Sequence, residues 1–136
     1  YRIINERIYD PFEYGRAWFV PRPIDEDAIA RMNEAASYII GKHDFASFMS
    51  EGSDITDTVR EVYYLTIDEN DGMFEIKISA DGFLYNMVRI IVGTLIDVAF
   101  GRLSPEEMKK VISSKERSLA GMTAPADGLY LNKVSY

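Results

Sequence analysis

The chain reads as an α+β domain: an antiparallel or mixed β-sheet with helices packed on one face. Two stretches, 59–67 and 73–80, alternate at period two around Asn70-Asp71-Gly72, which is hairpin chemistry. Two others, 25–40 and 83–100, carry apolar residues at helical spacing. Strands and helices follow one another with a single hairpin and no internal repeat, and that order defines the class.

Each element has a local cause. Ile3, Ile4 and Ile8 mark residues 1–9 as an edge strand, broken by Asp10-Pro11. Residues 14–20, with Tyr14, Trp18 and Phe19, form an aromatic connector closed by Pro21 and Pro23. Asp25 caps the first helix, Glu26 and Asp27 suit its positive end, and Ile24 and Ile29 sit at staple spacing. Ile29, Met32, Ala36, Ile39 and Ile40 form its apolar stripe, and Gly41 ends it. Residues 42–49 are a short aromatic segment, and 50–57 a polar loop. In the second hairpin strand Phe74, Ile76, Ile78 and Ala80 line one face, and Glu75, Lys77 and Ser79 the other. The apolar helix 83–100 stops at Gly101. Ser104-Pro105-Glu106-Glu107 is a capping box with proline at the first helical position, opening a helix through Ile112. Residues 115–121 form a loop, and 128–136 alternate again as a last strand.

At 136 residues the chain has room for one domain, 1–136, with a proper core. It has no cysteine, which removes disulfides, thiolate metal sites and thiol nucleophiles, and fits a reducing compartment. The longest apolar run is interrupted by Asn86, Arg89 and Asp97, so it is not read as a membrane span. A net charge of −7 argues against indiscriminate nucleic-acid binding. Arg2, Arg7, Arg16 and Arg22 still concentrate positive charge in the first segment. The acidic runs at 25–27 and 68–71 read as solvated surface. The chain opens on Tyr1-Arg2-Ile3, not on methionine or a signal peptide, which suggests a processed chain or an excised piece.

One residue stands out chemically. Arg89 lies in an otherwise apolar run, and a guanidinium cannot shed its charge by deprotonation. If buried it needs an anionic partner. On a helical wheel Asn86, Arg89, Gly93 and Asp97 share one narrow strip. Gly93, one turn on, leaves space for a backbone or ligand to come close. Two readings fit: a site cation, or a core arginine that snorkels or joins a structural ion pair. His43 is the only histidine, so a metal site or a Ser-His-Asp arrangement lacks its parts, and a turn-stabilising role is favoured. No phosphate-loop motif is present. Tyr9, Phe12, Tyr14, Trp18 and Phe19 could stack bases but read better as core.

Three islands carry a resemblance: Lys42-His43-Asp44-Phe45-Ala46-Ser47-Phe48, Phe83 through Gly93, and Thr123-Ala124-Pro125-Ala126-Asp127-Gly128-Leu129-Tyr130-Leu131. In this order and spacing they resemble the C-terminal portion of the tRNA pseudouridine synthase A family. Asp57-Thr58-Val59-Arg60 and the opening Tyr1-Arg2 agree, so the resemblance runs over essentially the whole chain. It implies an isomerase acting on uridines on the 3′ side of the tRNA anticodon stem-loop. Such enzymes detach the uracil, rotate it and rejoin it through carbon, without cofactor or metal. It further implies a cytoplasmic homodimer with tRNA held across both subunits, and no membrane. By resemblance Arg89 is the arginine that pairs with the catalytic aspartate, Tyr1 the tyrosine against the target base, and Leu131 a residue packing near the site. The family's aspartate lies in a Gly-Arg-Thr-Asp-x-Gly-Val-His motif before the position of Tyr1. No such motif occurs here; Gly52-Ser53-Asp54 is a superficial echo. The expectation is a catalytic half without its N-terminal half, inactive alone, with Arg89 turned to water or borrowing a substitute anion. The rivals are a non-catalytic RNA- or protein-binding module and a structural dimerisation domain.

Overall fold

The structure is a computed structural model, and it describes residues 1–6 and 15–131. It is α+β, as the pattern predicts. The strands are β1 (Arg2–Ile4), β2 (Trp18–Phe19), β3 (Gly41–Asp44), β4 (Val59–Asn70) and β5 (Met73–Ala80). They form one five-stranded sheet in the order β2-β1-β5-β4-β3. Only β1 and β2 run parallel; the other pairs are antiparallel. The helices are α1 (Glu26–Ser37), α2 (Met87–Ala99) and α3 (Glu107–Ser114).

The hairpin is the most local element. Asn70 pairs with Met73, so the turn proper is Asp71-Gly72, at φ 51 and 80. Two left-handed residues in succession match the right-handed twist of the flanking strands. A register shift between Val62 and Tyr64 leaves Tyr63 and Tyr64 both exposed. The opposite face carries Ile3, Val62, Leu65, Phe74 and Ile76, all buried with Met32 of α1 and Ile91 and Leu95 of α2 in one core.

The helix starts follow their caps. Asp25 accepts from the Ala28 amide at 2.8 Å and opens α1. In α3 the box is reciprocal: Ser104 N donates to Glu107 Oε1 at 3.1 Å, and Glu107 N to Ser104 Oγ at 3.3 Å. That bonding holds the Glu107 carboxyl below its ordinary range.

Several expectations change. The first strand is not an edge: β1 lies between β5 and β2, because residues 18–19 of the connector add a parallel strand beside it. Helix α1 ends at Ser37 rather than Ile40, and Gly41, at φ +109, begins β3 instead of ending the helix. Ile40 is 42% exposed and leaves the apolar stripe. The segment 42–49 splits into β3 and a 3₁₀ turn at Ala46–Phe48. Helix α2 starts at Met87, not Phe83, so Asn86 precedes it. At the end of the described chain, Ala126–Gly128 is a 3₁₀ turn, and residues 129–131 belong to no strand. The last-strand expectation for Asn132–Tyr136, and those for Arg7–Tyr9, Phe12 and Tyr14, lie outside the described residues.

Candidate functional site

Residues 121–124, which lead into the third island, run antiparallel to α2 from Thr94 back to Arg89 and are sewn to it. At the seam's base, backbone meets backbone. A methyl built on Gly93 would overlap the Met122 carbonyl oxygen, so only hydrogen fits there. Gly121 answers it from the loop: its own methyl would come within 2.8 Å of the Thr94 Cα. The Thr94 hydroxyl is buried, donates to Ile90 O at 2.7 Å and accepts from Gly121 N at 2.9 Å. Arg117 ties the same loop from the other side, through Gly121 O and Thr123 Oγ1. The expected close approach at Gly93 is thus made by the chain's own loop.

One turn toward the start of α2 the seam becomes polar. Arg89 Nε donates to Ala124 O at 2.7 Å, while Ala124 N donates to Arg89 O at 3.0 Å. Arg89 Nη1 donates to Asn86 Oδ1 at 3.1 Å. Among the described residues no carboxylate lies within 4.0 Å of this guanidinium; the ion pairs found are Arg102–Asp97 and Lys115–Asp44. Arg89 is half-buried, with Nη2 making no hydrogen bond to a described residue. The substitute anion of the expectation is not found among the described residues: the partners on Nε and Nη1 are two neutral oxygens. Asp97, on the same strip, pairs with Arg102 instead.

Tyr1 reaches the same loop from the sheet. Its backbone extends β1 by bonds with Ile76 in both directions, each 2.8 Å. Its ring is buried, edge-on to Trp18 at 6.5 Å, and its hydroxyl donates to Pro125 O. A methyl on Gly128 would strike this ring at 2.6 Å. Arg89 and Tyr1 therefore bind two successive carbonyls, Ala124 and Pro125, and the loop brings them together. The Tyr1 phenol is held well above its ordinary range, chiefly by burial. Arg89 pulls it down, and Asp127 pushes it up. Leu131 stands apart: it is 82% exposed, at the end of the described chain. Its neighbour Tyr130 is anchored, with its hydroxyl on Arg16 O and the Arg2 guanidinium 4.8 Å above its ring.

Of the other candidates, His43 bonds Ile40 O at 3.0 Å and packs edge-on against Phe45 at 5.6 Å, a turn-closing role. No cluster of metal-ligating side chains occurs among the described residues. Trp18 packs against the core beside Tyr1. Ala124 is the site residue that pattern reading missed; Asn86 was placed on Arg89's strip but given no role. A polar residue at the lip of an apolar helix, three before the lone arginine, was the available signal for Asn86.

Fold and site together give an α+β domain whose helix α2 holds a fixed cation, with one end of its fork free. The profile of the tRNA pseudouridine synthase family matches residues 35–136. The tRNA pseudouridine synthase A of Thermoanaerobacter sp. (strain X514) is 46% identical over 136 residues, all of this chain and 54% of that protein. A tRNA pseudouridine synthase A 2 of Clostridium tetani is 42% identical over the same 136 residues, again 54% of its length. The Staphylococcus aureus (strain MRSA252) protein is 40% identical over 134 residues, 98% of this chain and 50% of its own. The chain belongs to the tRNA pseudouridine synthase family. It spans about half the length of the curated relatives it matches.

Proposed function

We propose that this chain is the C-terminal half of a tRNA-uridine isomerase that makes pseudouridine in the anticodon stem-loop. One observation carries the reading: Arg89 is locked by neutral acceptors while the Nη2 end of its fork stays uncommitted. A guanidinium so fixed can receive a carboxylate on Nη1 and Nη2, orient it and keep it ionised at neutral pH. That carboxylate is the aspartate of the family motif absent from this sequence. The relatives are twice as long, which leaves room for a segment that supplies it. Tyr1, buried beside the cation, forms the floor on which the target base sits, and Leu131 packs against the bound nucleotide. The whole enzyme works in the cytoplasm as a homodimer that binds tRNA. By itself this chain makes no pseudouridine, because breaking a glycosidic bond needs one carboxylate held against the nucleotide.

The test is Arg89→Lys in the full-length protein. Lysine keeps the charge but loses the planar fork. Turnover should fall by about a hundredfold or more, as when a transition-state contact is lost, with the thermal midpoint little changed. Near-normal pseudouridine formation would refute the site assignment and favour a non-catalytic RNA- or protein-binding module.

A further inference from the structure

We propose that Asn86 is a positioning residue for this reaction: its amide sets the guanidinium of Arg89. The inference rests on the reading of Arg89 as the site's cation. Asn86 occupies the cap position of α2 at φ 60 and ψ 15, in the left-handed region. Asparagine is among the few residues that enter that region readily. An asparagine at a helix cap ordinarily turns its side-chain oxygen onto the free amides of the first turn. Here the side chain makes no capping bond. Its Oδ1 accepts from Arg89 Nη1 at 3.1 Å instead, and its Nδ2 donates to Ser50 Oγ at 3.1 Å. The helix forgoes its cap so that the amide can hold the arginine.

The amide is itself braced. Ser50 N donates to Tyr85 O at 3.0 Å, so the serine is fixed to the residue just before Asn86. The order of support is Ser50 to Asn86 to Arg89. Together with the Ala124 carbonyl on Nε, the amide fixes the guanidinium plane at two of its three nitrogens. Without Asn86 the fork keeps one anchor and can pivot about it. A carboxylate arriving on Nη1 and Nη2 would then meet a mobile partner, which lowers turnover without altering how tRNA docks.

The experiment measures kcat and KM for tRNA with the full-length protein, in five variants. Asn86→Gly keeps the left-handed backbone and removes the amide; kcat should fall about tenfold with KM within about twofold. Asn86→Asp keeps the backbone and an acceptor, but seats a carboxylate on Arg89 that competes with the incoming one. Its kcat should fall at least as far, and it carries the test if the glycine variant does not fold. Ser50→Ala loosens the brace and should cost about twofold to threefold in kcat. In an Arg89→Lys background, Asn86→Gly should add no further loss, because it acts through the guanidinium. Unchanged kcat in both Asn86 variants overturns the proposal, as does a change confined to KM or a fully additive double variant. Arg89→Lys turning over normally overturns the underlying reading instead, so the two failures are distinct.

Discussion

The β4–β5 hairpin and the seam between α2 and residues 121–128 are both held by glycines, for opposite reasons. In the hairpin Gly72 is needed for its backbone angle, φ +80. In the seam Gly93 sits at ordinary helical angles and is needed for its missing side chain. The hairpin joins neighbours in sequence. The seam joins Thr94 to Gly121, Arg89 to Ala124 and Tyr1 to Pro125, separated by 27, 35 and 124 positions. Local chemistry builds the scaffold; long-range contact builds the site.

Gly93→Ala should have the largest effect. A methyl that overlaps the Met122 carbonyl oxygen meets backbone, not a flexible side chain that can swing away. The loop must lift, breaking the Gly121–Thr94 bond and loosening Ala124 from Arg89. Overpacking of this kind costs about 3 kcal/mol. Urea denaturation should show that loss, and hydrogen exchange should show faster exchange of the Gly121 and Ala124 amides. Stability within about 0.5 kcal/mol of the parent would mean that the seam yields and is no determinant of the site.

Gly72→Ala should cost less, about 1 kcal/mol for forcing a left-handed alanine. Its methyl would also meet Asn5 O at 3.2 Å, a contact that small shifts relieve. The same denaturation series measures it. If it proves costlier than Gly93→Ala, the ranking of turn strain below backbone collision is wrong.

The two regions differ equally in what the sequence discloses. Asn70-Asp71-Gly72 and the flanking alternation announce the hairpin, because turn type and strand period are local properties. Ser104 and Glu107 announce the start of α3 for the same reason. Gly93 announces only that something comes close. Which segment does so depends on the path of residues 115–128, which no periodicity encodes. Arg89 was legible as a cation in an apolar helix with Asn86 on its strip, but its Ala124 partner was not, since any backbone carbonyl in the chain could have served. The parallel strand at 18–19 was hidden because its two residues are too few to alternate.

The smallest effect separates the regions by acidity. Asp44, at the end of edge strand β3, accepts from Thr58 Oγ1 at 2.6 Å and from Ala46 N at 3.0 Å, with Lys115 at 3.8 Å. These bonds, the Thr58 hydroxyl first, hold its carboxyl below the ordinary value of 3.8. With the folded value below the unfolded one, the unfolded chain binds the proton first as pH falls. Asp44 therefore adds stability above pH 3.8 that is lost as pH drops through its folded value. The seam's hydrogen bonds join a guanidinium, hydroxyls, amides and backbone carbonyls instead. Thr58→Val removes the main cause and one hydrogen bond, worth about 1 kcal/mol at pH 7. The deficit should shrink toward zero as both proteins are acidified below pH 3.8. Thr94→Val, which cuts the seam's hydroxyl bond, should instead show a deficit that does not change over the same interval. Denaturation midpoints at a series of acid pH values distinguish the two. Parallel acid profiles for the parent and Thr58→Val would show that Asp44 draws its ionised form from solvent rather than from the edge of the sheet.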